Sequence, residues 1–270
     1  VVTVAIWSTT PLAINWSTQG VSFIGAAASR MAIAMVLAVV LTSVFKIPVR
    51  WSNGAWKSYL AGAWGVFGGL MIVYWAAQYV QSGLVSVIFG LTPVISAILE
   101  TLILKERLIS RTKIAAILIA MLGLLLVFIG QLDSAGNRLA GLALLLVAVM
   151  FFNFSSIFVK KYDRGQHPLA QTTGTLIVSS MLYGVVWLLF DPHLPIDASL
   201  KTLASIGYLA LMGSVIGFFS YYYMLGRLRV STTNLITVMT PVIALLLGVY
   251  LNNESIDMMQ WIGVGVVMFG

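Results

Sequence analysis

Long apolar runs, separated by short segments rich in Gly, Pro, Asn and charged residues, occupy almost the whole chain. A membrane-spanning helix needs about 20 consecutive, mostly apolar residues. The pattern predicts ten such spans, at residues 1–19, 22–44, 57–79, 84–104, 112–130, 138–159, 168–190, 199–224, 231–251 and 257–270. The connecting segments are then too short to hold a soluble catalytic domain.

The composition agrees with an integral membrane protein. Of the 270 residues, 60% are hydrophobic and 9% are charged, and the mean hydropathy is +1.01. Soluble domains have about 45–50% apolar and about 25% charged residues. The chain has no cysteine and two histidines, His167 and His193, which are far apart in the sequence. This excludes disulfides and thiolate chemistry, and we expect neither a metal nor a cofactor.

The basic residues indicate how the chain crosses the membrane. Of the 15 Lys and Arg residues, all but Arg30, Arg138 and Lys201 lie in, or at the edges of, the segments after the second, fourth, sixth and eighth spans. Because positive charge in short loops is retained in the cytoplasm, both termini are predicted to be cytoplasmic. The net charge of +7 is then a topology signal and a contact for anionic lipid, and it does not indicate a nucleic-acid site.

The two halves of the chain align when it is shifted by 148 residues. The shift superposes Thr92–Ile95 on Thr240–Ile243, which share the sequence Thr-Pro-Val-Ile. It also pairs Gly65 with Gly213, Gly69 with Gly217, Tyr74 with Tyr222 and Glu106 with Glu254. Matched Gly, Pro, Tyr and Glu residues at one fixed offset indicate an internal duplication.

Each half contains five predicted spans, so the second half enters the membrane from the opposite side. The sequence therefore predicts an all-α integral membrane protein with ten transmembrane helices in two inverted five-helix repeats, 1–130 and 138–270, around a central cavity. Inverted repeats are typical of secondary transporters, in which related halves exchange conformations that open to opposite sides of the membrane.

Prolines near the middle of the fourth and ninth spans are candidates for a hinge. Proline has no amide hydrogen, so the carbonyls of Phe89 and Thr237 are predicted to lack their helical partners. Such carbonyls are costly in lipid unless they border a cavity. The residues assigned to this hinge or gate are Pro93, Pro241, Gly69 and Gly217. A packing kink and close helix contact are the alternatives.

Polar and aromatic side chains inside the spans are candidates for the cavity lining, because polar groups in lipid-length helices turn inward. The assigned residues are Trp7, Ser8, Asn15, Tyr74, Gln78, Asn153, Ser156 and Tyr222. Aromatic rings with amide and hydroxyl groups suit a small amphipathic ligand. Interhelical hydrogen bonding and interfacial anchoring are the alternatives.

Two charged residues lie well inside predicted spans, Arg30 and Glu100. An ionisable residue in a span is a functional candidate. Arg30 is a candidate receptor for a substrate carboxylate, or else it snorkels or binds nearby carbonyls. Glu100 is either a proton carrier or a partner for basic residues. Glu106 and Glu254 are expected to cap or latch helix ends.

The pattern Thr-Pro-Val-Ile, followed by Glu thirteen residues after the proline, recurs at Pro93 to Glu106 and at Pro241 to Glu254. With ten spans in two halves, it resembles the EamA-type members of the drug/metabolite transporter superfamily. The segments Ala5–Pro11 and Leu104–Leu108 are also similar to that family. The resemblance implies a basket-shaped bundle that exports small metabolites by alternating access. The whole sequence is most similar to bacterial aromatic amino-acid exporters, which implies neutral and aromatic amino acids as substrates and a bacterial inner membrane.

Other functions remain as alternatives. An exporter of cationic drugs or of other metabolites of the same superfamily is one, although a carrier of cations usually has a carboxylate in its site. A channel is another, although inverted repeats favour alternating access. The sequence contains no H-E-x-x-H, G-x-S-x-G or phosphate-loop motif, so an enzyme is not expected. The expected partners are a small-molecule substrate and the lipid bilayer.

Overall fold

The computed structural model describes residues 2–52, 54–105, 137–163, 165–193, 198–254 and 257–269, with isolated positions between 115 and 126. The helices in these residues are α1 (Val2–Ser17), α2 (Phe23–Val44), α3 (Ala55–Ala76), α4 (Ser82–Ile103), α5 (Asn137–Tyr162), α6 (Pro168–Phe190), α7 (Leu200–Arg227), α8 (Val230–Asn252) and α9 (Met258–Phe269). Their ends agree with the predicted spans to within a few residues. The predicted fifth span, 112–130, lies outside the described residues except at isolated positions.

Within the described residues, seven helices, α2 to α8, are long and apolar enough to cross a membrane. Their outer surfaces expose large apolar side chains such as Val36, Val185 and Leu189, whereas hydroxyl residues such as Thr172 and Ser179 are buried. This distribution is typical of a protein that is surrounded by lipid and has polar groups in its interior. The chain is an all-helical integral membrane protein.

Helices from the two halves of the sequence pack directly against one another. α1 contacts α7 and α8, α2 contacts α6 and α7, α3 contacts α5 and α6, and α4 contacts α8. The centre of the bundle therefore lies at the interface between the two halves.

Both α3 and α7 contain a π-helical segment, Trp64–Gly69 in α3 and Leu209–Ile216 in α7. The 148-residue shift moves the first segment onto residues 212–217, so the two overlap. π-helical turns are rare and are frequently found at functional sites. The segment in α7 brings Gly213 and Ser214 to the centre of the bundle, where both face Arg30.

α4 is interrupted at Gly90 and Leu91, and helix resumes at Thr92. Pro93 therefore lies in the first turn of the second part of α4, where its missing amide hydrogen costs no helical hydrogen bond. The proline follows a break in the helix and does not sit at a bend within it.

α8 has its interruption at Asn234 and Leu235, and Pro241 lies inside the continuous helix Ile236–Asn252. The two prolines, although paired by the repeat, therefore lie in different settings within their helices. The Thr240 hydroxyl donates a hydrogen bond to the Thr237 carbonyl over 3.0 Å. A side chain thus satisfies a carbonyl that was predicted to lack a partner.

Candidate functional site

A partly enclosed cavity of about 120 Å³ lies at the centre of the bundle, between helices of both halves. Its apolar and aromatic lining consists of Trp7, Pro11, Ile14, Val66, Leu70, Val73, Val85, Phe89, Phe152, Gly213, Phe218, Tyr221 and Tyr222. Its polar lining consists of Thr10, Arg30, Ser86, Thr92, Ser155, Ser156, Asn234, Thr237 and Thr240. Among the described residues, Arg30 is the one charged residue that lines the cavity, and no carboxylate lines it.

The guanidinium of Arg30 lies in the interior of the bundle, with 1% of the residue exposed. Nε donates a hydrogen bond to Oγ of Ser214 over 2.9 Å, and Nη1 donates to the hydroxyl of Tyr74 over 3.4 Å. A Cβ on Gly213 would lie 3.1 Å from Nη2, so the glycine leaves room for the guanidinium. Among the described residues no carboxylate pairs with Arg30. Neutral hydroxyl groups therefore hold a buried positive charge at the cavity wall.

A second polar group borders the cavity at the interruption of α8. The Tyr221 hydroxyl donates to Oδ1 of Asn234 over 2.9 Å and shares a hydrogen bond of 2.6 Å with Oγ of Ser156. The ring of Trp7 lies 5.3 Å from the ring of Tyr221, measured between centroids. Nδ2 of Asn234 is buried and has no hydrogen-bond partner in the described part of the chain. An unsatisfied amide donor therefore borders the cavity.

A third polar group lies where α4 is interrupted. The hydroxyl of Thr92 is buried and lacks a hydrogen-bond partner within the described residues. The carbonyl of Phe89 lies at the end of the first part of α4, and Pro93, four positions later, has no N–H to donate to it. The Phe89 ring packs edge-on against Phe152, with 5.4 Å between centroids. The break thus places a hydroxyl group with no described partner at the lining of the cavity.

Four of the predicted site residues line the cavity: Trp7, Ser156, Tyr222 and Arg30. They come from α1, α5, α7 and α2, and the packing of the two halves brings them together. Their contact with a substrate remains a prediction.

Other residues predicted to line the cavity do not. Ser8 donates its hydroxyl to the Val4 carbonyl over 2.7 Å, and Asn153 donates to the Val149 carbonyl over 2.8 Å. Both hydrogen bonds are local, four residues back along the same helix.

Asn15, Gln78 and Tyr74 also lie away from the cavity lining. Asn15 accepts a long hydrogen bond, 3.5 Å, from Asn252 at the end of α8, and Gln78 is exposed in the turn after α3. Tyr74 is fully buried behind Arg30 and contacts the guanidinium, so it positions the arginine.

Of the residues assigned to a gate, neither proline lines the cavity, whereas both glycines support its aromatic walls. A Cβ on Gly69 would lie 2.8 Å from the Phe152 ring, and a Cβ on Gly217 would lie 2.7 Å from Nε1 of Trp7. The absence of side chains at these glycines therefore determines where the two rings lie. A hinge at these positions remains a prediction.

Two glutamates bind the first turns of helices in the opposite half. Oε1 of Glu100 accepts the backbone N–H of Val230 over 2.6 Å. Glu254 accepts hydrogen bonds from the backbone N–H and hydroxyl of Ser82, over 3.1 and 2.7 Å, and from the N–H of Gly83 over 3.3 Å. Carboxylates are stabilised at helix N-termini, where free N–H groups and the helix dipole meet.

Among the described residues, Glu100 forms no ion pair with a basic residue, which was one of its two predicted roles. Its carboxylate lies against the start of α8, and 1% of the residue is exposed. Glu106, predicted to cap or latch a helix end, lies outside the described residues.

Several residues that line the cavity are not among the predicted site residues, notably Asn234, Tyr221, Thr92 and Phe152. For Asn234 a signal exists, because an amide inside the ninth apolar span is unusual in lipid. Tyr221 belongs to a run of three tyrosines, and its neighbour Tyr222 was assigned instead because the 148-residue shift pairs Tyr222 with Tyr74. No feature of the sequence distinguishes Phe152 from the many other phenylalanines.

Comparison with known proteins identifies the family. The model of the EamA-like transporter family matches residues 1–129 and again residues 139–270. The chain belongs to the EamA-like transporter family. An uncharacterized transporter of Archaeoglobus fulgidus is 27% identical, over 99% of this chain and 94% of its own. A probable terminal-alkyne amino-acid exporter of Streptantibioticus cattleyicolor is 26% identical, over 92% of this chain and 82% of its own.

A crystal structure of a protein with 17% sequence identity superposes with a TM-score of 0.73, covering 99% of this chain and 92% of the other. This likeness supports the fold of the EamA-like protein. As a member of a transporter family, the protein is a membrane transporter that lies in lipid and has a small-molecule substrate. Membership of this family implies that it is not an enzyme.

Proposed function

We propose that this EamA-like transporter exports neutral and aromatic amino acids across a bacterial inner membrane, with both termini in the cytoplasm. The observation that carries the proposal is the lining of the central cavity, in which aromatic and apolar walls surround a single described cation and a few hydroxyl and amide groups. A neutral amino acid combines an apolar side chain with a carboxylate and an ammonium group. The similarity to an amino-acid exporter supports the same substrate class.

The size of the cavity favours a small ligand. Its volume of about 120 Å³ lies below the ~300–1,000 Å³ of pockets for drug-sized molecules, so an amino acid requires less widening of the cavity than a drug does. The lining also disfavours cationic drugs, because Arg30 repels a cation and no described lining residue supplies a carboxylate.

The mechanism we propose is alternating access between two inverted five-helix repeats. The 148-residue shift relates the two π-helical segments, and it also relates Ser82 to Val230, the first residues of α4 and α8. The backbone N–H of each of these residues donates a hydrogen bond to a carboxylate of the other half, Ser82 to Glu254 and Val230 to Glu100. Such contacts between the halves are suited to open and close in turn, one on each side of the membrane.

Counterflow in proteoliposomes tests the substrate class. Vesicles that contain the protein are loaded with unlabelled phenylalanine or threonine, and the uptake of the labelled amino acid is followed against protein-free vesicles. We expect a transient, saturable accumulation of label. If correctly folded protein gives no counterflow with any amino acid, the substrate assignment is wrong, and a panel of metabolites and cationic drugs is tested next. Current at rates beyond those of a carrier would indicate a channel.

Cysteine accessibility tests alternating access, and the chain has no native cysteine. Thr10→Cys places a thiol in the cavity lining. We expect a membrane-impermeant reagent to label it from either side of the membrane, and substrate to protect it from both. Val185→Cys is the control, because Val185 faces the lipid. Labelling of Thr10→Cys from one side only, during active counterflow, would contradict the mechanism.

A further inference from the structure

The buried guanidinium of Arg30 is incompletely paired. Its hydrogen bonds within the described residues go to two neutral hydroxyl groups, those of Ser214 and Tyr74. A guanidinium has more N–H donors than these two bonds use, and a buried cation is stabilised most by a carboxylate. Among the described acidic residues, Glu100 is buried inside a span, as Arg30 is. Its carboxylate, however, accepts a hydrogen bond from the backbone of Val230. The chain therefore supplies no described counter-ion at this end of the cavity.

The rest of the cavity offers groups of a different kind. Around the interruption of α4 these are the hydroxyl of Thr92, which has no hydrogen-bond partner among the described residues, and the carbonyl of Phe89, to which Pro93 has no N–H to donate. Such oxygens accept hydrogen bonds from an ammonium group. Apolar and aromatic side chains line the cavity between these groups and Arg30.

We propose that Arg30 is the substrate's carboxylate receptor, which makes the carboxylate a requirement for recognition. A ligand carboxylate then pairs with the guanidinium, while Ser214 and Tyr74 hold the guanidinium in place. The substrate's ammonium group binds the acceptors at the break in α4. This inference rests on the proposed function, and it assigns the substrate class as molecules with a carboxylate beside an apolar side chain. The corresponding amines are excluded.

Three compounds with the same benzyl group separate the contributions of the ligand's carboxylate and ammonium groups to binding. Phenylalanine carries both charged groups, phenethylamine lacks the carboxylate, and 3-phenylpropionate lacks the ammonium group. Each is used to inhibit counterflow of labelled phenylalanine by the wild-type protein. We expect phenylalanine to inhibit most strongly, 3-phenylpropionate to inhibit more weakly, and phenethylamine to inhibit at least tenfold more weakly than phenylalanine. Inhibition by phenethylamine equal to that by phenylalanine overturns the proposal.

Substitution of the arginine tests the protein side of the pair. We expect Arg30→Gln to raise the half-saturating phenylalanine concentration at least tenfold, and Arg30→Lys to have a smaller effect, because it keeps the charge but loses the planar donor set. Arg227→Gln is the control, since Arg227 is exposed at the end of α7 and stacks on Tyr223. It is expected to keep the wild-type value. An Arg30→Gln variant with wild-type affinity overturns the proposal.

Thermal stabilisation by ligand gives a second readout that does not require transport. We expect 3-phenylpropionate to raise the melting temperature of the wild-type protein and not that of Arg30→Gln. If amino acids are not transported but this difference is found, the proposed function fails and the carboxylate receptor stands. If phenylalanine is transported equally by both proteins, the proposed function stands and the receptor fails. Should Arg30→Gln not fold, the comparison of the three compounds on the wild-type protein decides.

Discussion

A Cβ on Gly248 would lie 2.5 Å from Oε2 of Glu254, so the glutamate reaches its binding position only because residue 248 has no side chain. Gly248 lies in α8, and its carbonyl accepts the backbone N–H of Glu254 over 3.1 Å. The carboxylate that fits beside it binds the first turn of α4 at Ser82. The end of α8 and the start of α4 are thereby joined across the two halves of the chain.

The repeat gives this contact a counterpart. The 148-residue shift relates Gly248 to Glu100 and Ser82 to Val230. In the first half, the position of the glycine is occupied by the glutamate itself, which binds Val230 directly. Equivalent helix starts are thus capped by carboxylates from non-equivalent positions.

Gly248→Ala should displace the Glu254 carboxylate and lower the free energy of unfolding by about 1–2 kcal/mol, through overpacking and the loss of a helix cap. Thermal unfolding in detergent measures the change. Gly207→Ala is the matched control, because a Cβ there meets no atom within 4 Å and alanine favours helix. An equal loss of stability in the two variants would show that the space beside Glu254 is unimportant.

Glu100→Ala should lower the free energy of unfolding by about 1–3 kcal/mol, because it leaves the buried N–H of Val230 without its acceptor. Glu100→Gln keeps an oxygen at this position and should lose less. The same variants test the alternative of a proton carrier. If Glu100 serves as a helix cap, Glu100→Gln retains counterflow with an unchanged response to an imposed proton gradient, whereas a carrier of protons would lose that response.

Tyr221→Phe should weaken substrate binding, since it removes the hydroxyl that holds the Asn234 amide at the cavity and leaves buried polar atoms unpaired. We expect a loss of about 1–3 kcal/mol in the free energy of unfolding and a higher half-saturating concentration in counterflow. Tyr223→Phe is the control, because Tyr223 is exposed on the same helix. Indistinguishable behaviour of the two variants would exclude a role for this network.

Gly217→Ala should shift the Trp7 indole, whose Nε1 lies 2.7 Å from the position of the added Cβ. Because Trp7 lines the cavity, we expect the half-saturating concentration of phenylalanine to rise about tenfold, equivalent to ~1.4 kcal/mol of binding free energy. Gly184→Ala in α6 meets no atom within 4 Å and should leave the affinity unchanged. Wild-type affinity in Gly217→Ala would mean that the position of Trp7 does not limit binding.

Asp191, directly after α6, should make stability depend on acid pH. A hydrogen bond from Ser22, the N-cap of α2, lowers the pKa of the Asp191 carboxyl below its usual value, and the hydrogen bond with His193 lowers it further. A lowered folded pKa adds stability above about pH 4, which is lost as the pH falls through the folded value. We expect the melting temperature to fall less between pH 5 and pH 3 in Asp191→Asn than in wild type. Parallel curves would exclude this contribution.

The apolar pattern determined the helices of this protein, because in lipid every backbone polar group must be satisfied within its own segment. Helix ends such as Val44, Phe190 and Asn252 therefore follow from where the apolar runs stop. The sequence also selected Arg30, since a charged residue inside a span is unusual enough to be noticed without neighbours.

Tertiary structure decided which polar groups face the cavity. Ser8 and Ser156 are both serines in apolar helices and both donate to the carbonyl four residues back, yet only Ser156 also meets a tyrosine from another helix and lines the cavity. The role of Glu100 could not be chosen from the sequence either. Its partner is the backbone N–H of Val230, and every residue except proline has such a group, so no residue type indicates the contact. Contacts between helices far apart in the chain depend on how the two halves pack, and the spacing of residues along a single helix does not contain that information.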